Sequence, residues 1–275
     1  VVDTIVLGKE NVGGIAGWDN YYHSYDNYVT ATLDDAGNPC ETEVTKAMLP
    51  RRSGFTWKTY TGSYISGETN VGGLLGKFTG VYVDNSYVSQ GVTVRGTENV
   101  GGAVGQAYGW YSDSTWVTTN VYVRRLAFGG TVTGETNVGG ILGQFTHSGG
   151  TAKNNTATAL NSSSYGWLVT GTVQGNRNYG FLTGQWKELP AGTEPQYPNN
   201  CRVYENAVCG TKTAAQTYGN DRRYDAQPWA SNLYLQTLTV SAEDLSDPSM
   251  YYLGAASTGG GMGWYRNTWS DEAMN

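Results

Sequence analysis

Histidine is nearly absent from this 275-residue chain: only His23 and His147 occur, far apart, with no H-E-x-x-H and no C-x-x-C. Zinc centres and a Ser-His-Asp arrangement are therefore not expected. Charge is scarce too, since Asp, Glu, Lys and Arg make up 15% of residues and the formal net charge is −6. Nucleic acid or an anionic membrane calls for a basic stripe, whereas Arg51-Arg52, Arg124-Arg125 and Arg222-Arg223 are scattered pairs. No apolar run approaches the roughly 20 residues of a membrane-spanning helix. Cysteine is limited to three residues, a number compatible with an oxidising compartment. Cys201 and Cys209 bracket a short loop that a disulfide could staple, leaving Cys40 over, although three pairings are open.

The usual catalytic signatures are missing as well. Gly72 to Lys77 imitates a phosphate loop, but the spacing is one residue short and Phe78 stands where Ser or Thr should hold magnesium. No G-x-S-x-G occurs. Asp34-Asp35 with Asn38, and Asp221 with Asp225, read as polar turns rather than calcium ligands, so neither a metal nor a cofactor is expected. A glycosidase needs two carboxyls about 5 to 9.5 Å apart. Asp19, Asp26, Glu41, Glu43, Asp84 and Asp113 qualify by type, yet no spacing pairs them. The expectation is a protein without catalytic residues.

What the chain does have is one phrase, repeated. It reads Asn11-Val-Gly-Gly-Ile-Ala-Gly17, Asn70-Val-Gly-Gly-Leu-Leu-Gly76, Asn99-Val-Gly-Gly-Ala-Val-Gly105 and Asn137-Val-Gly-Gly-Ile-Leu-Gly143, then decays to Asn178-Tyr-Gly-Phe-Leu-Thr-Gly184. A glycine precedes each Asn by three, at Gly8, Gly67, Gly96, Gly134 and Gly175. Such self-similarity means stacked supersecondary units, none able to bury its apolar face alone. Val12 and Ile15 are three apart, which a flat strand cannot place on one face. The pairs Gly13-Gly14, Gly72-Gly73, Gly101-Gly102 and Gly139-Gly140 are expected to take positive φ and bend the strand so that both apolar residues point inward. Asn11, Asn70, Asn99 and Asn137 should stack on one another from unit to unit, bonding backbone groups that the bend leaves open.

The phrase resembles the GLUG repeat of bacterial surface proteins and adhesins. The best match is Asn70-Val-Gly-Gly-Leu-Leu-Gly76, with Asp84-Asn-Ser-Tyr-Val88 and Val92-Thr-Val-Arg-Gly96 after it, and the resemblance covers about residues 8 to 184. It implies a right-handed β-solenoid and a place on the outside of a bacterial cell, and it brings no catalytic residues. Composition agrees with an all-β chain, with 39 Gly, 21 Tyr and 9 Trp, and the length suits a single domain over residues 1–275. The chain opens on Val1 with no leader-like segment, which reads as a mature, exported product.

Residues 1 to 7 are almost wholly apolar and read as a strand buried on both faces. Val1, Val2, Ile5, Val6 and Leu7 are accordingly candidate subunit contacts: the strand either folds into its own core or completes a neighbour by strand addition. Successive unit starts are 59, 29, 38 and 41 residues apart, so the longer units must extrude loops. Those insertions are aromatic, and Trp57, Tyr108, Trp110, Tyr111 and Trp116 are candidate glycan contacts, or else pack against the wall or a second subunit. Asn154 and Asn161 lie in sequons. Residues 185 to 232 read as an irregular excursion, Leu233 to Val240 as a strand, and Ser241 as the start of the one convincing helix, with a tail carrying Trp264 and Trp269 as a cap. Two functions follow as expectations: a cell-surface structural subunit that polymerises head to tail with itself, or a monomeric adhesin that binds surface polysaccharides. A polysaccharide lyase or hydrolase ranks below both.

Overall fold

The structure, a computed structural model, describes residues 1–20, 23–25, 27–32, 34, 41–43, 59–80, 82–84, 86–112, 117–119, 121–147, 167–186, 199–218, 223–224 and 231–236. These residues form an all-β fold of several parallel sheets. The chain visits five of them in one recurring order, the fourth only in the first three passes among the described residues. The first sheet collects Ile5–Leu7, Ser63–Ser66, Val92–Arg95, Thr131–Thr133, Thr172–Gln174 and Val208–Cys209. The second takes Glu10–Gly13, Thr69–Gly72, Glu98–Gly101, Thr136–Gly139 and Arg177–Gly180, each holding part of the repeated phrase. The third takes Ala16–Asp19, Leu75–Phe78, Val104–Ser112, Leu142–His147 and Thr183–Trp186. The fourth is shorter, with His23–Tyr25, Tyr82–Asp84 and Tyr122–Val123. The fifth runs through Tyr28–Val29, Ser86–Val88, Leu126–Phe128, Leu168–Val169, Asn199–Tyr204 and Ser231–Gln236.

Register explains why the phrase repeats. Val12, Val71, Val100, Val138 and Tyr179 are successive partners on the second sheet, so like pairs with like at every rung but the last. The Val column belongs to one continuous core that also holds Leu74, Leu75, Phe78, Val88, Phe128, Ile141 and Phe145. Each such side chain, fully buried, contributes roughly 1.5–3 kcal/mol. Ile15, expected to point inward with Val12, is 38% exposed, whereas Leu74, Ala103 and Ile141 at the same place in later passes are 0% exposed. The position is interior only where another pass packs beneath it.

The bend itself corrects the expectation about glycine. Positive φ falls on the asparagines, at +51° for Asn11, +53° for Asn70, +54° for Asn99, +56° for Asn137 and +50° for Asn178, and on none of the paired glycines. Asparagine tolerates this left-handed region better than other side chains. The glycines serve close approach instead. A Cβ on Gly72 would lie 2.0 Å from the Leu75 carbonyl oxygen, and one on Gly73 would lie 2.1 Å from the Gly102 carbonyl oxygen in the next pass. The third glycine of the phrase does the same between sheets, since a Cβ on Gly105 would sit 2.5 Å from the Val71 amide nitrogen. Second and third sheets thus touch backbone to backbone, nearer than the roughly 10 Å of sheets separated by side chains.

The asparagines do stack, as expected, but amide to amide. Nδ2 of Asn70 donates to Oδ1 of Asn11 (2.9 Å), Asn99 to Asn70 (2.9 Å), Asn137 to Asn99 (2.8 Å) and Asn178 to Asn137 (3.0 Å). Asn99 and Asn137 are buried, and a buried amide is costly unless partnered.

Two further expectations are corrected. Part of the region read as an irregular excursion continues the stack: Asn199–Tyr204 extends the fifth sheet and Val208–Cys209 the first. A short helix, Ala214–Tyr218, also falls there, where none was expected. The strand expected from Leu233 appears as Ser231–Gln236, while the helix expected at Ser241 and the Trp264/Trp269 cap lie outside the described residues.

Replacing Asn99 tests the bend and the ladder separately. Asn99→Ala loses both the amide bonds and an easy positive φ and is expected to destabilise by about 2–4 kcal/mol; Asn99→Gly keeps the torsion and should lose less. Urea unfolding of both variants reads the difference.

Candidate functional site

One end of the stack is open. Ile5–Leu7, Glu10–Gly13 and Ala16–Asp19 each pair with a strand of the next pass and, among the described residues, with nothing on their other side. The amide of Tyr64 donates to the Thr4 carbonyl and that of Gly8 to the Ser66 carbonyl. Parallel ladders use alternate residues, so Ile5 and Leu7 turn their own peptide groups toward the free edge. Exposed large apolar side chains gather here as well: Val1, Val2, Leu7, Ile15 and Trp18, with Tyr179 the one other among the described residues. The expectation of a strand buried on both faces is therefore corrected. Ile5 and Val6 are half-buried and Leu7 is exposed, because this strand is a sheet edge, paired within its own chain. The opposite end differs. Antiparallel Lys212–Thr213 closes the first sheet, and antiparallel Arg223–Tyr224 pairs with Ser231–Gln236 on the fifth.

A second feature lies on the third sheet. Trp18, Lys77, Gln106, Gln144 and Gln185 are successive register partners, forming one column across the five passes. The Lys77 ammonium stands 5.4 Å from the Trp18 ring centroid and 5.2 Å from that of Tyr108, a cation between two π faces. The Trp18 indole N–H donates to Thr79 Oγ1 (2.9 Å), which sets the ring's orientation. Beyond Lys77 the amides bond in series: Gln106 Nε2 donates to Gln144 Oε1 (2.8 Å) and Gln144 Nε2 to Gln185 Oε1 (2.5 Å). Tyr108 thus takes part in a site, although a different one from the expected aromatic loops. Trp110 and Tyr111 lie further along the same strand, where it pairs antiparallel with Val117–Thr119. Trp57, Trp116, Asn154 and Asn161 fall outside the described residues. The column could have been found by aligning the repeats, since each member follows the phrase's Asn by seven residues.

The third feature is a buried ion pair that sequence reasoning missed. Arg125, itself at φ +46°, donates through Nε to Asp84 Oδ1 (2.6 Å) and through a terminal nitrogen to Asp84 Oδ2, with side chains 6% and 5% exposed. Beside it the Tyr82 and Tyr122 rings stack at 4.7 Å, and the Arg124 guanidinium lies 4.0 Å from the Tyr82 centroid. The bidentate geometry uses both carboxylate oxygens of Asp84 and ties one pass to the next.

No disulfide joins Cys201 to Cys209, one of the three pairings that the sequence left open. Cys201 sits on the fifth sheet facing the core, and Cys209 lies on the first. Burial pushes the Cys201 thiol from 9.0 up to about 12, partly offset by a backbone hydrogen bond at Trp167, and pushes Cys209 up to about 11. Among the described residues no group of three or more His, Cys, Asp or Glu could hold a metal ion, and no helix is long and apolar enough to cross a membrane. No protein-family model matches the chain, and neither a curated protein nor a solved structure is found similar to it.

Breaking the ion pair on one side should be severe. Asp84→Asn or Arg125→Met is expected to cost about 3–5 kcal/mol in chemical unfolding, and the double Asp84→Leu/Arg125→Met substitution less than either alone. The thiols give a pH dependence. A folded pKa above the ordinary one means that the native state holds the proton more tightly, so this stabilisation is complete below about pH 9 and falls away toward pH 12. Thermal melts across that window should show a shallower loss for Cys201→Ala than for the parent, and native Cys201 should resist alkylation at pH 8 until the protein unfolds.

Proposed function

We propose that the chain is a right-handed β-solenoid of GLUG-like units and serves as a non-enzymatic, extracellular structural subunit of a bacterial surface fibre, assembling with copies of itself head to tail. One observation carries this reading: among the described residues, the strands of the first pass have no strand on their outer side, beside exposed Val1, Val2, Leu7 and Ile15. An edge that is both hydrogen-bond-ready and apolar is a liability for a monomer and an asset for a subunit. At the other end, Arg177–Gly180 and Thr183–Trp186 also pair on one side only among the described residues, offering the second and third sheets a place to continue. Register adds a charge match. Glu10 and Arg177 occupy the first and last places of one column, so stacking in the same sense would bring opposite charges together.

Substitution at the edge tests the assembly. Leu7→Lys with Ile15→Lys places two charges where a neighbour would pack, at positions already exposed in the single chain. Negative-stain microscopy and sedimentation should show higher-order species for the parent and folded monomers for the variant. A parent that stays monomeric at high concentration, or a variant that assembles equally well, would discard the reading.

A further inference from the structure

The column on the third sheet has more order than packing requires. Trp18 is 60% exposed yet oriented by the Thr79 hydroxyl. Lys77 is held between two rings while, among the described residues, no carboxylate pairs with it. Gln106, Gln144 and Gln185 continue the line as half-exposed amides. Strand neighbours are about 4.8 Å apart, so the five side chains span about 19 Å in a straight row. An aromatic face, a fixed cation and a run of amides in that order suit one kind of ligand. An extended chain of sugar rings can lay an apolar face on the indole, set an acidic group against the ammonium and hydrogen-bond its hydroxyls to amide oxygens and N–H groups.

We infer that this row binds an acidic oligosaccharide, with Trp18 as the stacking platform, Lys77 as the partner of the sugar's carboxylate or sulfate, and the glutamines as hydroxyl contacts. The Trp18–Lys77–Tyr108 cluster supplies the specificity, because a neutral sugar chain gains nothing from the ammonium. Trp18 lies on the edge strand of the third sheet, but Lys77, Gln106 and Gln144 lie on its inner strands, away from Leu7 on the first sheet, so Lys77 and Leu7 substitutions separate sugar binding from the proposed assembly.

Calorimetric titration of the full chain with tetrasaccharides of hyaluronan, polygalacturonate and chondroitin sulfate, and with chitotetraose as the neutral counterpart, tests the inference. At least one acidic tetrasaccharide should bind saturably and about tenfold more tightly than chitotetraose, with affinity falling as salt is added. Lys77→Gln should lose that preference, Lys77→Arg should keep it, and Trp18→Ala should weaken binding of every ligand that binds. The edge variant Leu7→Lys should bind like the parent, so failure of the assembly reading leaves this result intact. Absence of saturable binding by all three acidic ligands, equal affinity for chitotetraose, or a folded Lys77→Gln variant with parental affinity would each overturn the site.

Discussion

Backbone meeting backbone is the constraint from which the rest of this structure follows. Where the second sheet turns into the third, main-chain atoms approach so closely that a single Cβ would lie within about van der Waals overlap of a carbonyl oxygen, as at Gly72, Gly73 and Gly105. Only glycine fits there, and it recurs at the same three places in the first four passes, each the floor of the next, whereas Phe181 takes the second place in the fifth. The left-handed torsion at the preceding asparagine makes the turn into that contact. The amide ladder then satisfies side chains that the contact seals from water. Val12, Val71, Val100 and Val138 can therefore share one core column.

Function attaches to what that constraint leaves over. A stack that pairs like with like has no intrinsic reason to stop, so its ends are where further pairing is either blocked or left open. Here one end carries antiparallel strands on the first and fifth sheets while its second and third sheets pair on one side only among the described residues, and the other end is an apolar edge. The same regularity arranges side chains on the sheet faces in straight columns, and a column that differs from rung to rung, as Trp18, Lys77 and Gln106 do, is a surface with a direction.

Much of this was legible before any coordinates. The phrase, its glycine three residues ahead and its asparagine predicted strands stacked in register, because identical spacing can only repeat if identical contacts repeat. The torsional role assigned to the glycines was wrong for a definable reason: composition shows that a position tolerates no side chain, but not whether torsion or crowding forbids it. Asp84 and Arg125 are 41 residues apart and belong to no motif, so their pairing became visible only when the fourth sheet placed them together. Cys201 and Cys209 looked like a staple because they are close in sequence, yet a turn between the strands sends them to different sheets. The added pass at Val208–Cys209 lacks the phrase altogether, and nothing local announced it.

The two amide columns run in opposite senses. Every ladder asparagine points its N–H toward the earlier pass, and the bonded glutamines point theirs toward the later one. Reversing any single asparagine would set N–H against N–H on one side and oxygen against oxygen on the other, so the whole file must turn together or not at all. The fold thereby carries an arrow along its axis, with a donor terminus at Asn11 and an acceptor terminus at Asn178.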